Sequence, residues 1–426
     1  MIKYLFFLIL YLFLTACSHT KKNNDIPELV HIQIVDRNGF NETISSKERL
    51  KKFENINFFD PQPYKKVVQF FKQASSAVGT SKIFSYHENG YLYQSLEVLG
   101  GRAHGQYREW HPNGSLKLQM RVIEGAGDLS IESINTWVFD GEALVYNENG
   151  ALEAQFVYDK GLLSGKASFY YPTGALKRVT YYEKNFEEGE SVEYGLEGSI
   201  IGVSNYLHGK LHGEKNFYGT KSLPKFSEFY DQGVLVSGLY YNLSNQIVSQ
   251  VNHKSGVISF FSDKGLEAQV EVKNGEKEGF VNLFHKEGVL INSYHQANGF
   301  KHGEEILYYS PNETNQSNQP KLMLNWYMGK LQGRVKTWYN QGTLESEREF
   351  YDSKKNGPAS AFYKSGQLML LEEYQNDYLQ SGLYWKKGDK KEVSRVENGE
   401  GIATLYDGDG VFLKRVIYKK GIAVDE

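Results

Sequence analysis

Three histidines, His104, His212 and His302, each stand immediately before a glycine, and a metal centre would have to draw on residues of this kind. They occupy one place in the repeated sequence unit, roughly a repeat multiple apart, which spaces them along the chain instead of converging them on an ion. His208 and His212 have the i, i+4 spacing of a helical zinc pair, but the segment between them reads as a turn. Asp407-Gly408-Asp409-Gly410 opens like a calcium loop. The third oxygen ligand before glycine and the distal Glu are missing, because the twelfth position holds Tyr418. The sequence has no Gly-x-Ser-x-Gly elbow, phosphate-binding loop or Cys-His pair, and its carboxylates are scattered singly. This pattern predicts no enzyme, no cofactor and no metal; equivalent positions spread along a chain suit binding.

Cys17, the sole cysteine, offers a different chemistry. Lys3 precedes an apolar run from Tyr4 to Leu14, and small residues follow at Thr15 and Ala16. The run is shorter than the roughly 20 residues a membrane-spanning helix needs. Leu14-Thr15-Ala16-Cys17 resembles the lipobox of bacterial lipoproteins. The resemblance implies a signal peptide over 1–16, cleavage between Ala16 and Cys17, and acylation, palmitate included, of Cys17 as the new N-terminus. One acyl chain binds a membrane marginally, at about 0.8 kcal/mol per buried CH₂, so the several chains of such proteins anchor almost permanently. Residues 17–25, with Lys21, Lys22, Asn23 and Asn24, read as a tether reaching under roughly 30 Å. Ser18 replaces the Asp that retains enterobacterial lipoproteins in the inner membrane, which points to the outer membrane, on its periplasmic or surface side. With a single cysteine, no intrachain disulfide can form.

Lys and Arg number 48 against 51 Asp and Glu, and neither sign is concentrated in a block. Nucleic acid binding needs a basic footprint, so it is excluded. The 31 Tyr, 25 Phe and 42 Gly favour short aromatic strands joined by glycine turns.

A small α+β cap is expected over 26–80. Leu29–Val35 alternates as a strand. Ser45 and Glu48 have capping-box spacing for a helix through about Glu54, burying Leu50 and Phe53. Val67–Phe71 and Ile83–Tyr86 look like the first hairpin. From 81 to 426 a unit of about 24 residues recurs, counted on Gly105, Gly141, Gly165, Gly189, Gly213, Gly238, Gly279, Gly303, Gly333, Gly357 and Gly382. Five residues after nine of these glycines stands an aromatic: Trp110, Tyr146, Tyr170, Tyr194, Tyr218, Phe284, Tyr308, Trp338 and Phe362. A second glycine follows four residues later in most units, as at Gly90, Gly114, Gly150 and Gly174. There a tight turn needs positive φ, and Asn89, Asn113 and Asn149 add Asn-Gly signals. The strand after it alternates, as in Leu152, Ala154, Phe156 and Tyr158. A second, looser turn at Lys160–Gly165 leads into the next unit. Three intervals are long, which places an insertion near Val122–Asn135, a degenerate unit between Gly238 and Gly279, and a polar loop at Ser310–Pro320. A weak last unit spans Tyr406–Gly421.

These units, with the Arg102-Ala103-His104-Gly105, Lys210-Leu211-His212-Gly213 and Phe300-Lys301-His302-Gly303 steps, resemble the MORN-repeat variant of bacterial proteins catalogued as YwqK family antitoxins. The expected fold is all-β: an elongated antiparallel meander of stacked hairpins, roughly thirteen units extending on the order of 120 Å. The aromatic column reads first as the core of this thin sheet, and second as a groove for glycan or peptide. The expected function is a lipid-anchored envelope scaffold holding a protein partner. The alternatives are an antitoxin bound to its toxin, and glycan or cell-wall binding. The irregular stretches are expected to be better candidate sites than the repeat itself.

Overall fold

The computed structural model describes residues 27–219, 222–314 and 318–424. Cys17, the expected cleavage site before it and the expected tether over 17–25 lie outside them. Among the described residues there are thirty-six strands and two helices of one turn each, and every described strand pairing is antiparallel. The chain divides into two compact units, one running to Leu176 with Tyr182–Asn185, the other holding Lys177–Tyr181 and Phe186 onward.

The first unit opens with the cap. Its strand Glu28–Val35 lies between Asn41–Ile44 and Lys66–Lys72, and the last of these pairs onward with Thr80–Tyr86. Cap and first hairpin therefore share one sheet. The cap helix is shorter than the sequence suggests, covering Lys47–Leu50, and its N-cap is Ser46 with no side-chain capping bond, not Ser45. Its end tightens through bonds from Lys52 N to Arg49 O and from Phe53 N to Leu50 O, the i to i+3 pattern that closes a helix. That tightening still delivers Leu50 and Phe53 to a core with Ile32, Phe58, Phe84 and Tyr86.

The repeat hairpin is seen in Arg102–Trp110 and Leu116–Glu124. Gly114 N donates to His111 O and His111 N to Ser115 O, both at 2.9 Å. Only Gly114 of the three loop residues has positive φ, at 86°, as in a three-residue hairpin closed by a glycine bulge. Asn113 is thereby free to point sideways, and its Nδ2 donates to Glu148 O of the next turn at 2.8 Å. Asn89 does the same to Pro112 O at 2.7 Å. The residue that follows the unit's aromatic adds a second tie: Tyr339 Oη donates to Phe362 O at 2.8 Å and Tyr363 Oη to Trp385 O at 2.6 Å.

The turns at the opposite margin are the tighter ones, reversing the sequence expectation. His208-Gly209, Asn274-Gly275, Asp352-Ser353 and Asn376-Asp377 each place both residues at positive φ, the two-residue turn that matches strand twist. Left-handed backbone costs a non-glycine residue about 1–2 kcal/mol. A hydrogen bond offsets part of this, because the second residue's N–H is turned toward the preceding unit. Gly209 N reaches Glu187 O at 2.9 Å, Gly275 N reaches Lys254 O at 2.7 Å, and Ser353 N reaches Leu331 O at 2.9 Å.

The core is not the aromatic column. Two residues after the leading glycine the side chain is buried in almost every unit: Tyr107, Ala143, Ala167, Ser191, Tyr240, Ile258, Val281, Glu305, Ala359, Tyr384 and Ala403. The nine aromatics five residues after the glycine are all half-buried. Strand alternation puts the two positions on opposite faces. Tyr86, at the aromatic position of the first hairpin, is buried because the cap lies over it, its hydroxyl donating to Phe58 O at 2.9 Å.

The irregular stretches also read differently in three dimensions. The interval from Gly238 to Gly279 holds a complete short unit: Gly256, Phe261 and Gly265 keep the spacing, on the paired strands Ser255–Ser262 and Gly265–Lys273. The insertion in the first unit folds back onto the sheet through the helix Ile131–Ile134 and Trp137. Leu129, Ile134 and Trp137 pack on Tyr107, Val122 and Ala143, so the insertion roofs the core face. Lys66 pairs with Asp128 at its edge. Burial pushes the Asp128 carboxyl up, but bonds from Lys66 and the Leu129 N–H outweigh it and hold the group below its usual range. The Ser310 loop is tied to the next turn by Thr314 Oγ1 to Asn340 O, 2.9 Å, and Asn340 Nδ2 to Glu313 O, 3.1 Å.

Candidate interaction face

Many of the leading glycines have an aromatic partner directly across the hairpin, while Gly238, Gly256 and Gly382 face Val251, Val272 and Val396, and Gly279 faces Gln296. In the second unit Gly189 faces Tyr206, Gly213 faces Tyr230, Gly303 faces Trp326, Gly333 faces Phe350, Gly357 faces Tyr374 and Gly401 faces Tyr418. A glycine leaves room for a ring on the neighbouring strand, which is why the unit needs it there as well as for its positive φ. In the first unit Gly105 faces Val122, fully buried in the cluster that the insertion joins, and Gly141 faces Tyr158, half-buried against Phe139. In the second unit packing runs between successive strands, and Tyr206, Tyr230, Trp326, Phe350 and Tyr418 stay half-buried.

Three carboxylates, Glu228 and Glu305 buried and Glu372 half-buried, set rings of the row. Glu228 accepts from Tyr240 Oη at 2.8 Å and Tyr230 Oη at 3.0 Å. Glu372 accepts from Tyr384 Oη at 2.8 Å and Tyr374 Oη at 3.1 Å, the same constellation at the same sequence spacing. Glu305, only 2 % exposed, takes Asn292 Nδ2, Lys301 Nζ and Trp326 Nε1 at 3.1, 2.6 and 2.8 Å. Lysines two residues before the leading glycine lie over the rings. Lys301 Nζ is 4.7 Å from the Tyr294 ring centre and 5.3 Å from that of Trp326, and Lys355 Nζ is 4.7 Å from Tyr374. At one margin of this row, Tyr374, Tyr378, Tyr418, Lys355 and Ile422 line a cleft of about 450 Å³.

Burial, reinforced by Glu228 and Glu372, raises the hydroxyl pKa of Tyr230, Tyr240, Tyr374 and Tyr384, and burial pushes Tyr339 and Tyr363 up to about 12. These groups are donors at neutral pH, so each Glu–Tyr set is a clamp that orients rings. Their folded pKa lies above the unfolded value of about 10, so folding favours the neutral phenol. Stability is expected to be full below about pH 10 and to fall as pH rises through the folded values. Denaturant unfolding at stepped pH, with tyrosinate absorbance followed in parallel, checks this; an unchanged midpoint at about pH 12 would contradict it.

The residues singled out from sequence separate. His104 Nδ1 meets Ile123 O at 3.0 Å, while His212 Nδ1 accepts from Gln232 N at 3.4 Å and sits 3.4 Å from Asp231. His302 packs its ring 5.3 Å from Tyr327, and His208 Nδ1 lies 3.6 Å from Glu188. Each belongs to the margin between consecutive units. Asp407 closes its own turn, accepting from Asp409 N and Val411 N at 2.9 Å. Among the described residues no cluster of three or more His, Cys, Asp or Glu is placed to hold a metal. The Glu-x-Tyr pairs and the second ring ten residues on, at 228/230/240 and 372/374/384, were readable in the sequence as a repeated spacing but carry no recognised motif.

Residues 103–122 and 355–376 match the MORN repeat variant. The chain carries MORN-variant repeats. Each match starts two residues before a leading glycine and runs at least as far as the side chain facing it, Val122 in the first and Tyr374 in the second. A search of curated proteins finds no match.

Proposed function

We propose that this MORN-variant chain is a lipid-anchored interaction scaffold of the bacterial cell envelope, held by acylated Cys17 after cleavage behind Ala16. The observation that carries the binding reading is the ring row of the second unit, in which Tyr230, Trp326 and Tyr374 donate to Glu228, Glu305 and Glu372 while Tyr206, Tyr230, Trp326, Phe350 and Tyr418 stay half-buried. A row built this way presents preordered rings, so little side-chain freedom is lost when a protein partner docks. The lipobox-like Leu14-Thr15-Ala16-Cys17 supports the anchor. Recognition of glycan is the second reading, favoured by the cleft of Tyr374, Tyr378 and Tyr418.

The anchor is tested with Cys17→Ala. The parent chain is expected in the detergent phase, labelled by an alkyne analogue of palmitate, and the variant in the aqueous phase without label. Equal partitioning of the two would remove the anchor. Recognition is tested separately by a photo-crosslinking residue at Phe350 on the ring row, against one at Lys254 in a two-residue turn. A single protein adduct confined to Phe350 is the expected result; the same adducts at both positions would remove the scaffold reading.

A further inference from the structure

Trp326, Phe350 and Tyr374 are consecutive members of the ring row, each facing the leading glycine of a unit, Gly303, Gly333 and Gly357. The strand Gly333–Trp338 lies between those that carry Trp326 and Phe350, and Lys354–Phe362 lies between those of Phe350 and Tyr374. Each ring is therefore two strands from the next, about 9.6 Å at the usual strand spacing. Trp326 and Phe350 are half-buried and Tyr374 is set deeper. The polar hydrogens of these rings are already given away: Trp326 Nε1 donates to Glu305 at 2.8 Å and Tyr374 Oη to Glu372 at 3.1 Å. What the row offers a ligand is ring carbon at a fixed interval.

A chain lying along the row must return the same face to it at that interval. An extended β-strand covers the distance in about three residues, but its side chains alternate, so residues i and i+3 point to opposite sides. An α-helix takes about seven residues and about 10.5 Å, and its contact face drifts by about 20° at each step. A polyproline II helix turns once in three residues and rises about 9.3 Å, so every third residue comes back in step with the rings. Proline also suits a surface without hydrogen-bond partners, since it has no N–H to leave unpaired. Charge narrows the occupant further. Lys355 stands directly across from Phe350, its Nζ 4.7 Å from the Tyr374 ring centre, and exposed Arg348 shares the face of Phe350. Glu305 and Glu372 are committed to their donors, and Lys301 beside Trp326 is held by Glu305. Lys355 and Arg348 have no ion pair among the described residues.

We propose that Trp326, Phe350 and Tyr374 bind an acidic, proline-rich segment of a partner protein in the polyproline II conformation, with every third residue of the segment seated on a ring. Prolines on the rings supply affinity at little entropic cost, because the conformation is preformed, and Lys355 and Arg348 select carboxylates on the flank of the segment. The inference rests on the reading of the chain as a protein-interaction scaffold and is independent of the lipid anchor.

The test uses the full chain in detergent and three fluorescein-labelled peptides read by anisotropy: four repeats of Glu-Pro-Pro, four repeats of Lys-Pro-Pro, and the residues of the first with all the glutamates moved to one end. The first is expected to bind about tenfold or more tightly than either of the others. Phe350→Ala should weaken it by a similar factor. Arg348→Glu with Lys355→Glu keeps the three rings and should turn the preference to Lys-Pro-Pro, which keeps the test decisive if the Phe350 variant does not fold. Equal binding of the three peptides, no binding of the first, tighter binding of an alanine-rich helical peptide with Glu at every seventh residue, or an unchanged preference in the charge-reversed variant would overturn the proposal. So would concentration-dependent self-association abolished by Phe350→Ala. Any of these results beside a protein adduct confined to the Phe350 crosslinker would remove the polyproline inference and leave the scaffold reading, whereas the same adducts at Phe350 and Lys254 with no peptide bound would remove both.

Discussion

Trp137→Ala is expected to destabilise the first unit by about 3–5 kcal/mol, the range for deleting a buried indole. Trp137 is 7 % exposed, its ring lies 4.8 Å from Tyr107 in an edge contact, and Nε1 donates to Ala126 O at 2.8 Å. Truncation opens a cavity in the cluster with Tyr107, Val122 and Ala143 and removes the indole bond to Ala126 O, whose residue is exposed, so the cavity carries the cost. The glycines that admit the insertion leave it no easy collapse. A Cβ on Gly125 would lie 2.5 Å from the Trp137 ring, and one on Gly127 2.4 Å from Gly101 O. Denaturant unfolding followed by tryptophan-independent circular dichroism measures the effect. A loss under about 1 kcal/mol would show that the insertion covers the core without supporting it.

The second large effect belongs to Gly256, the leading glycine of the unit hidden in the longest interval. Its φ is 150°, and a Cβ there would sit 2.1 Å from Gln250 O and 2.8 Å from Val251 Cα, both backbone atoms of the facing strand. Backbone cannot rotate away, so Gly256→Ala must shift the hairpin and is expected to cost about 3 kcal/mol or more. Gly150→Ala is the matched control: φ is 80°, with nothing within 4 Å of the added methyl. There only the left-handed backbone penalty applies, about 1–2 kcal/mol. Equal losses in the two variants would mean that the close approach at Gly256 relaxes freely.

The comparison of glycines shows where the sequence was legible. The two glycines and the aromatic of each unit follow from local backbone demands, and local demands repeat in register with the chain. Gly90, Gly114, Gly150, Gly174, Gly198, Gly288, Gly342 and Gly366 all take positive φ as their spacing predicts. Gly256, Phe261 and Gly265 carry the same signal, so the unit expected to be degenerate between Gly238 and Gly279 is complete. The core face was not legible, because its position two after the glycine holds Ala, Ser, Tyr, Ile, Val or Glu. Burial there is set by neighbours on other strands, and no single residue type marks it. The conspicuous aromatics drew attention to the opposite face for the reason that they vary least.

The site was legible in part. His104, His212 and His302 hold one repeat position, and each has its own local contacts, with Ile123 O, Gln232 N and the Tyr327 ring. The ring row was missed because its members, Tyr206, Tyr230, Trp326, Phe350, Tyr374 and Tyr418, are defined by what they oppose across the hairpin. Cross-strand partners depend on register, and the bulge at each hairpin turn shifts that register by one residue between Glu109 and Trp110, Thr337 and Trp338, or Ala361 and Phe362. The insertion near Val122–Asn135, expected as a site, is a structural roof.

The sideways bonds at the two-residue turns carry a further consequence for how such a molecule changes length. Gly209 donates back to Glu187, Gly233 to Leu211, and Gly421 to Gly399, so each hairpin gives one N–H to its predecessor and offers one carbonyl to its successor. A whole hairpin can therefore be spliced in or cut out and the two new neighbours meet with the same donor and acceptor. The short units that begin at Gly238 and Gly382 already join in this way, through Lys254 to Val236 and Gly399 to Gln380. Copy number is then free to drift while every junction stays chemically the same.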